Sequence, residues 1–214
     1  MAAKPAVSSP PPFHFNDLFI TLHPDVYEPA EDTFQLLETL TITPKDTILE
    51  LGTGCGIISL ECARQGCNVV CTDLNPYAVE LTKENIKQNQ HLLKGTIEVH
   101  YGNLFEPIKK HERFTIIIFN PPYLPTKPYE RIGGNGWLDL ATDGGKNGTE
   151  VTKRFIKEIP NHLQKNGYAT FIYSSLADRT TLTKSLIATK VHAEIVSTRH
   201  FNDETLEVYR VTLP

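Results

Sequence analysis

The chain has 214 residues, 40% of them hydrophobic and 21% charged, a balance that excludes disordered and fibrous classes and fits one globular domain. Its net charge is −4, from 21 Lys and Arg against 25 Asp and Glu, so it lacks the basic excess with which a stand-alone nucleic-acid binder grips phosphates. The purest apolar run near mid-chain, residues 116 to 119, is far short of the roughly 20 residues a bilayer span needs, so no membrane association is expected.

The N-terminal 15 residues are rich in Pro, Ala and Ser. They are expected to form a flexible tail, leaving residues 16–214 as a single domain. Four prolines and no apolar block in the first twelve residues argue against a secretory signal. Cys55, Cys62, Cys67 and Cys71 cluster in one segment without a Cys-x-x-Cys pair. That pattern reads as reduced thiols in a cytoplasmic protein, with no metal site.

Residues 30 to 40 place Phe34, Leu37 and Leu40 at helical spacing, with Glu31 and Asp32 in the first turn, where the helix dipole favours acids. A strand–helix alternation follows. Residues 47–51 read as a strand, 57–65 as a helix closed by Gly66, and 68–72 as a valine-rich strand. Residues 76–88 read as a helix, with Asn75 as its cap and Pro76 at its first position. Residues 96–101 form a third strand. Residues 114–119 form a fourth, an unbroken apolar run of the kind buried on both faces. Residues 125–149 show no clear secondary structure and hold Trp137 and the glycines 133, 134, 136, 144, 145 and 148. A loop of that length is usually functional or disordered, and its place after the fourth strand suggests a segment that covers a substrate. A helix at 150–163, a strand at 168–173, a helix at 178–189 and a hairpin over 192–199 and 205–213 complete the chain. This pattern predicts an α/β fold with a mostly parallel, doubly wound sheet, helices on both faces and ligands beyond the carboxyl ends of the strands.

Glu50-Leu51-Gly52-Thr53-Gly54-Cys55-Gly56 follows the first strand of the alternation and opens a helix. Three alternating glycines let a ligand approach the backbone. A dinucleotide fingerprint would place its third glycine at position 57, which is Ile57. The acid Glu50 disfavours a pyrophosphate and suits a ligand with an amino group and a positive sulfonium, as in S-adenosyl-L-methionine. Asp73 ends the second strand, where an acid accepts bonds from ribose hydroxyls. After the third strand, the Asn103 amide is a partner for an adenine amine, and Leu104 is placed to pack on the ring.

Asn120-Pro121-Pro122-Tyr123 directly follows the fourth strand. Two prolines stiffen the backbone and leave the Asn120 side-chain oxygen and the Pro121 carbonyl as acceptors, beside the flat face of Tyr123. Such a set binds a planar –NH2 group. Its nitrogen is a poor nucleophile because the lone pair is delocalised. Holding it in line with a methyl–sulfur bond makes positioning and electrostatics the source of catalysis.

Glu50 to Gly56, Asp73 and Asn120 to Tyr123 together resemble the class I S-adenosylmethionine-dependent amino-methyltransferases, and more narrowly the HemK-type protein glutamine N5-methyltransferases. Two further segments carry the likeness. Tyr27 to Thr33 is similar to the start of the archaeal and eukaryotic HemK branch, and Asp143 to Gly148 to the family's Asp-Gly-Gly element. The resemblance implies a Rossmann-like fold of seven strands with a C-terminal antiparallel hairpin. It implies cofactor contacts from Thr33, Glu50, Gly52, Gly54, Gly56, Asp73, Asn103, Leu104 and Asn120, with Asn103 standing where the family often has Asp. Substrate contacts from Asn120 and Tyr123 follow. The implied substrate is the glutamine of the Gly-Gly-Gln loop in a class 1 peptide chain release factor, and the implied partner is a small zinc-binding activator subunit. An N6-adenine methyltransferase is a rival, since an adenine amine fits the same clamp. It would need a basic groove, and Lys109-Lys110-His111 is the one compact basic run. A non-catalytic cofactor-binding subunit is the third reading.

Overall fold

The computed structural model describes residues 10–126 and 136–214. It starts with an antiparallel hairpin, β1 (Phe13–Phe15) and β2 (Leu18–Ile20), which includes residues expected to lie in the tail. A distant helix holds this hairpin, which is why no local pattern announced it. Leu18 and Ile20 are fully buried in the core. The Phe19 N–H donates to Asn89 Oδ1 at 2.8 Å, and Asn89 Nδ2 donates back to the Phe19 carbonyl at 2.8 Å. Asn85 does the same for Thr21, at 2.9 and 3.1 Å. Two asparagine amides thus replace a neighbouring strand.

The alternation then runs α1 (Glu31–Glu38), β3 (Thr47–Leu51), α2 (Ile57–Arg64), β4 (Asn68–Asp73), α3 (Pro76–Asn89), β5 (Ile97–Tyr101) and β6 (Phe114–Phe119). Asn75 caps α3 by accepting the Tyr77 N–H at 3.0 Å, and Pro76 occupies the first turn. A short helix, α4 (Trp137–Thr142), lies in the segment that the sequence left without structure. Gly133 and Gly134 fall outside the described residues. The chain closes with α5 (Glu150–His162), β7 (Leu163–Ser174), α6 (Arg179–Thr189), β8 (His192–His200) and β9 (Thr205–Thr212).

The sheet has seven strands in the order β5-β4-β3-β6-β7-β9-β8. The first five are parallel, and β9 pairs antiparallel with both β7 and β8. On β6, Ile116 and Ile118 point into one core with α2 and the hairpin, while Ile117 and Phe119 point into the other with α5. A strand buried on both faces needs the unbroken apolar run seen in the sequence.

The strand order reverses between β3 and β6. Leu51 pairs with Phe119 there, and Leu51 also pairs with Thr72 of β4. Gly52, Asp73 and Asn120 therefore leave the sheet side by side at its carboxyl edge, where open parallel sheets bind ligands.

Candidate active site

A cavity of about 560 Å³ opens at that edge. It is lined by Thr33, Glu50, Gly52, Gly54, Asp73, Asn103 and Leu104, and by all four residues Asn120, Pro121, Pro122 and Tyr123. Gly56 does not line it. It sits at φ +82° at the start of α2, and a Cβ there would come within 2.8 Å of Thr82 Cγ2. The close packing of α3 gives Gly56 a structural reason to be glycine, beside the cofactor contact that the family resemblance implies.

Glu50 is 3% exposed. Its Oε2 accepts from the Thr53 hydroxyl at 2.9 Å, from the Ser59 N–H at 3.1 Å and from the Ser59 hydroxyl. The carboxyl thereby ties the glycine loop to the first turn of α2. Burial pushes its pKa up to about 7, against the opposing effect of these donors. Asp73 uses both oxygens on the backbone. Oδ2 accepts from Gly54 N–H at 2.9 Å and Oδ1 from Asn75 N–H at 2.8 Å. Burial raises its pKa too, although those amides pull the other way. Each oxygen retains a second lone pair for a ligand hydroxyl. Leu104 sits at φ +52°, a conformation that costs a branched L-residue about 1–2 kcal/mol, and the Thr72 hydroxyl holds its carbonyl at 3.0 Å. Strain kept at a cavity wall is a mark of a binding position.

Asn120 carries the most informative contact. Its Nδ2 donates to Asp32 Oδ2 at 3.1 Å and lies 3.4 Å from the Thr33 hydroxyl, whereas Oδ1 is buried with no partner. A buried acceptor without a donor costs roughly 1–3 kcal/mol, so a ligand donor is expected to meet it. The hydroxyls of Tyr27 and Tyr123 each donate to Asp32 Oδ2 at 3.2 Å. Burial, then the Asp32 charge, drives both phenols well above their ordinary range. The sequence reading missed Asp32. It looked like a first-turn helix acid, and its partner Tyr123 lies 91 residues away.

The Asp143–Gly148 element braces the clamp. Leu124 N–H donates to the Thr142 carbonyl at 3.0 Å, Gly144 N–H returns a bond to the Leu124 carbonyl at 2.9 Å, and Thr126 N–H reaches Gly145 at 3.0 Å. Trp137, from the start of α4, forms part of the cavity wall. Among the described residues, the lining holds the acids Asp32, Glu50, Asp73, Asp143 and Glu204 and one cation, Arg154. That charge suits a cationic ligand better than a phosphate. All four cysteines are free and buried, and burial pushes the Cys55 thiol, in the glycine loop, up to about 12. No group of three or more His, Cys, Asp or Glu suited to a metal occurs among the described residues. Nor is any helix among them long and apolar enough to cross a membrane.

Comparison with known proteins gives a consistent picture. Residues 28–131 match the family model described as Methyltransferase small domain. The chain is 46% identical over 158 residues to a Methanocaldococcus jannaschii protein provisionally named as a protein N5-glutamine methyltransferase, covering 73% of this chain and 76% of that one. It is 31% identical over 196 residues to the human Methyltransferase HEMK2, covering 88% and 90% of the two chains. Among solved structures it resembles the E. cuniculi Mtq2–Trm112 complex, described as responsible for methylation of the eRF1 translation termination factor. The TM-score is 0.65 at 24% identity, over 89% of this chain and 99% of that one. The T. thermophilus 16S rRNA N2 G1207 methyltransferase, in complex with AdoMet and guanosine, has a TM-score of 0.68 at 18% identity, over 100% of this chain and 53% of that one. These two likenesses concern the fold, and they match the Rossmann-like sheet expected from the sequence.

Proposed function

The chain belongs to the protein N5-glutamine methyltransferase family that includes HEMK2, and from that premise we propose that it methylates the side-chain amide of a glutamine in the Gly-Gly-Gln loop of a class 1 peptide chain release factor, with S-adenosyl-L-methionine as methyl donor. The observation that carries the proposal is the unpartnered, buried Oδ1 of Asn120, a residue that lines the cavity.

The residues fit this donor. S-adenosylmethionine, when bound, supplies a methyl group on a positively charged sulfur. Asp73 has lone pairs that would serve ribose hydroxyls, and Leu104 and Asn103, which line the same cavity, would serve the adenine. The acidic lining favours the positive charge. Gly52 and Gly54 line the cavity with bare backbone and so allow close approach.

The amide of the target glutamine is planar, and its nitrogen lone pair is drawn into the carbonyl. Asn120 Oδ1 accepts one of its N–H groups, which both holds the nitrogen and returns electron density to it. The stiff Pro121-Pro122 segment fixes the acceptor, and Tyr123, tied by its hydroxyl to Asp32, walls the same space. A fixed acceptor needs no reorganisation during the reaction, which is where such sites gain rate. No group must first remove a proton: the nitrogen becomes acidic only as it gains the methyl group, and its proton then passes to solvent, so no titrating base is required at the outset.

One structural neighbour points to a companion chain, since the Mtq2 structure is a complex with Trm112. We infer a similar small partner subunit here, of the zinc-binding kind that the family resemblance implies. The deciding experiment is incubation of the chain, with and without such a partner, with labelled cofactor and either release factor or DNA. Label on the release factor, lost in Asn120→Ala, supports the proposal. Label on DNA alone refutes it.

A further inference from the structure

We propose that Asp32 is a positioning residue that sets which edge of the Asn120 amide faces the cavity, an inference that rests on the function proposed above. An asparagine amide has an acceptor edge and a donor edge of nearly the same shape. Only the acceptor edge can receive an –NH2 group. Flipped by half a turn, Asn120 would present its own NH2 to the substrate amide and repel it.

The surroundings fix the choice. Asp32 is 3% exposed and lies against Asn120 Nδ2 at 3.1 Å. Its carboxylate is acceptor-only, so the Asn120 NH2 must face it and Oδ1 must face away. The carboxylate is itself pinned. Its Oδ1 accepts from the Thr33 N–H at 2.6 Å and from the Thr33 hydroxyl at 3.2 Å, and its Oδ2 accepts from Tyr27 and Tyr123. The result is the buried, unpartnered Asn120 Oδ1.

Replacing Asp32 by Asn makes the dependence visible. The Thr33 backbone N–H can only donate, so it keeps the new side chain's oxygen. The tyrosine hydroxyls can rotate to accept, so the new NH2 turns toward Asn120. Asn120 must then offer its oxygen to that NH2 and turn its own NH2 into the cavity. The exchange Asp32→Asn with Asn120→Asp moves the charge across the pair. The NH2 at position 32 then donates to one oxygen of the carboxylate at position 120, and the other oxygen faces the cavity as an acceptor. Asn120→Asp alone places two carboxyls together, which must share a proton. The protonated form mimics the native amide, with its O–H toward Asp32 and its carbonyl toward the cavity. Other titratable groups near this pair are Tyr27, Tyr123, Glu31 and Glu204.

The test compares wild type, Asp32→Asn, Asn120→Asp and the double exchange. Asp32→Asn is expected to lower kcat/KM for the release factor about 100-fold, as for the loss of a hydrogen bond to a charged group, while affinity for S-adenosylhomocysteine stays within about threefold. Asn120→Asp is expected to lose activity as pH rises through the shared-proton range. The double exchange is expected to remove that pH dependence and to exceed Asn120→Asp at least about tenfold near pH 8. A ligand-free readout runs alongside. The Asn120 side-chain NH2 protons, identified in NMR spectra by their loss in Asn120→Asp, should exchange with water about tenfold faster in Asp32→Asn than in wild type. A double exchange no better than Asn120→Asp, or unchanged proton exchange in Asp32→Asn, overturns the proposal. If no chain, wild type included and with the partner subunit present, labels a release factor, the function proposed above fails, and the proton exchange still decides the role of Asp32.

Discussion

Replacing Glu50 by Gln should make the ligand-free chain more stable at neutral pH, and the gain should grow with pH. Glu50 is 3% exposed, and its carboxyl is raised from an ordinary 4.5 to about 7. Below 4.5 the group is protonated in both the folded and the unfolded chain and costs nothing. Between 4.5 and 7 the unfolded chain ionises while the folded chain holds its proton. Stability therefore falls as pH rises through this window, and the loss is complete above the folded value. At about 1.4 kcal/mol for each tenfold change in proton affinity, the loss comes to roughly 3 kcal/mol. Gln keeps an acceptor for Thr53 and Ser59 but never ionises. The stability difference between Glu50→Gln and wild type, from urea unfolding at a series of pH values, should be near zero around pH 4 and about 3 kcal/mol in favour of the variant around pH 8. Comparing the two chains cancels the other groups, such as Glu61, whose depressed carboxyl works in the opposite sense and costs stability as pH falls. A difference that stays flat with pH, or a variant less stable than wild type near pH 8, would refute the reasoning. A destabilising carboxyl kept in a cavity wall is itself a sign of function.

The two later glycines of the loop should separate by role. Gly56→Ala, with its Cβ 2.8 Å from Thr82 Cγ2 and φ at +82°, should cost about 2–4 kcal/mol in unfolding while the folded fraction binds S-adenosylhomocysteine normally by calorimetry. Gly54→Ala, whose nearest neighbour would lie at 3.9 Å, should cost only about 1 kcal/mol yet weaken that binding at least about tenfold. Asn85→Ala strands the Thr21 N–H, the Thr21 carbonyl and the Cys55 carbonyl. It should cost about 3 kcal/mol in urea unfolding and also weaken cofactor-product binding, because the Cys55 carbonyl it frees belongs to the glycine loop of the cavity wall. Asp73→Ala should reduce adenosine binding about 100-fold by loss of the ribose acceptor, read by calorimetry.

The sheet was legible because its signals are local. The apolar run of β6, the Asn75-Pro76 start of α3 and the glycine turn each declare their structure within a few residues. The site was legible for a related reason. In a doubly wound sheet the residue after each strand lands at one edge, so motifs at positions 52, 73 and 120 had to meet. What escaped depends on distant partners. The β1–β2 hairpin is three residues a side and owes its order to Asn85 and Asn89. Asp32 gains its importance from Tyr123 and Asn120, 91 and 88 residues on. At Gly56 the packing of α3 was not legible either, because a packing glycine and a ligand glycine look identical in a sequence.

The account turns on one contact, and a crystal structure of the chain with S-adenosylhomocysteine and a Gly-Gly-Gln peptide measures it. The glutamine side-chain nitrogen should lie about 3 Å from Asn120 Oδ1, with the Asn120 NH2 still on Asp32. A glutamine nitrogen held by another group, with Asn120 Oδ1 turned away from it, would contradict the account.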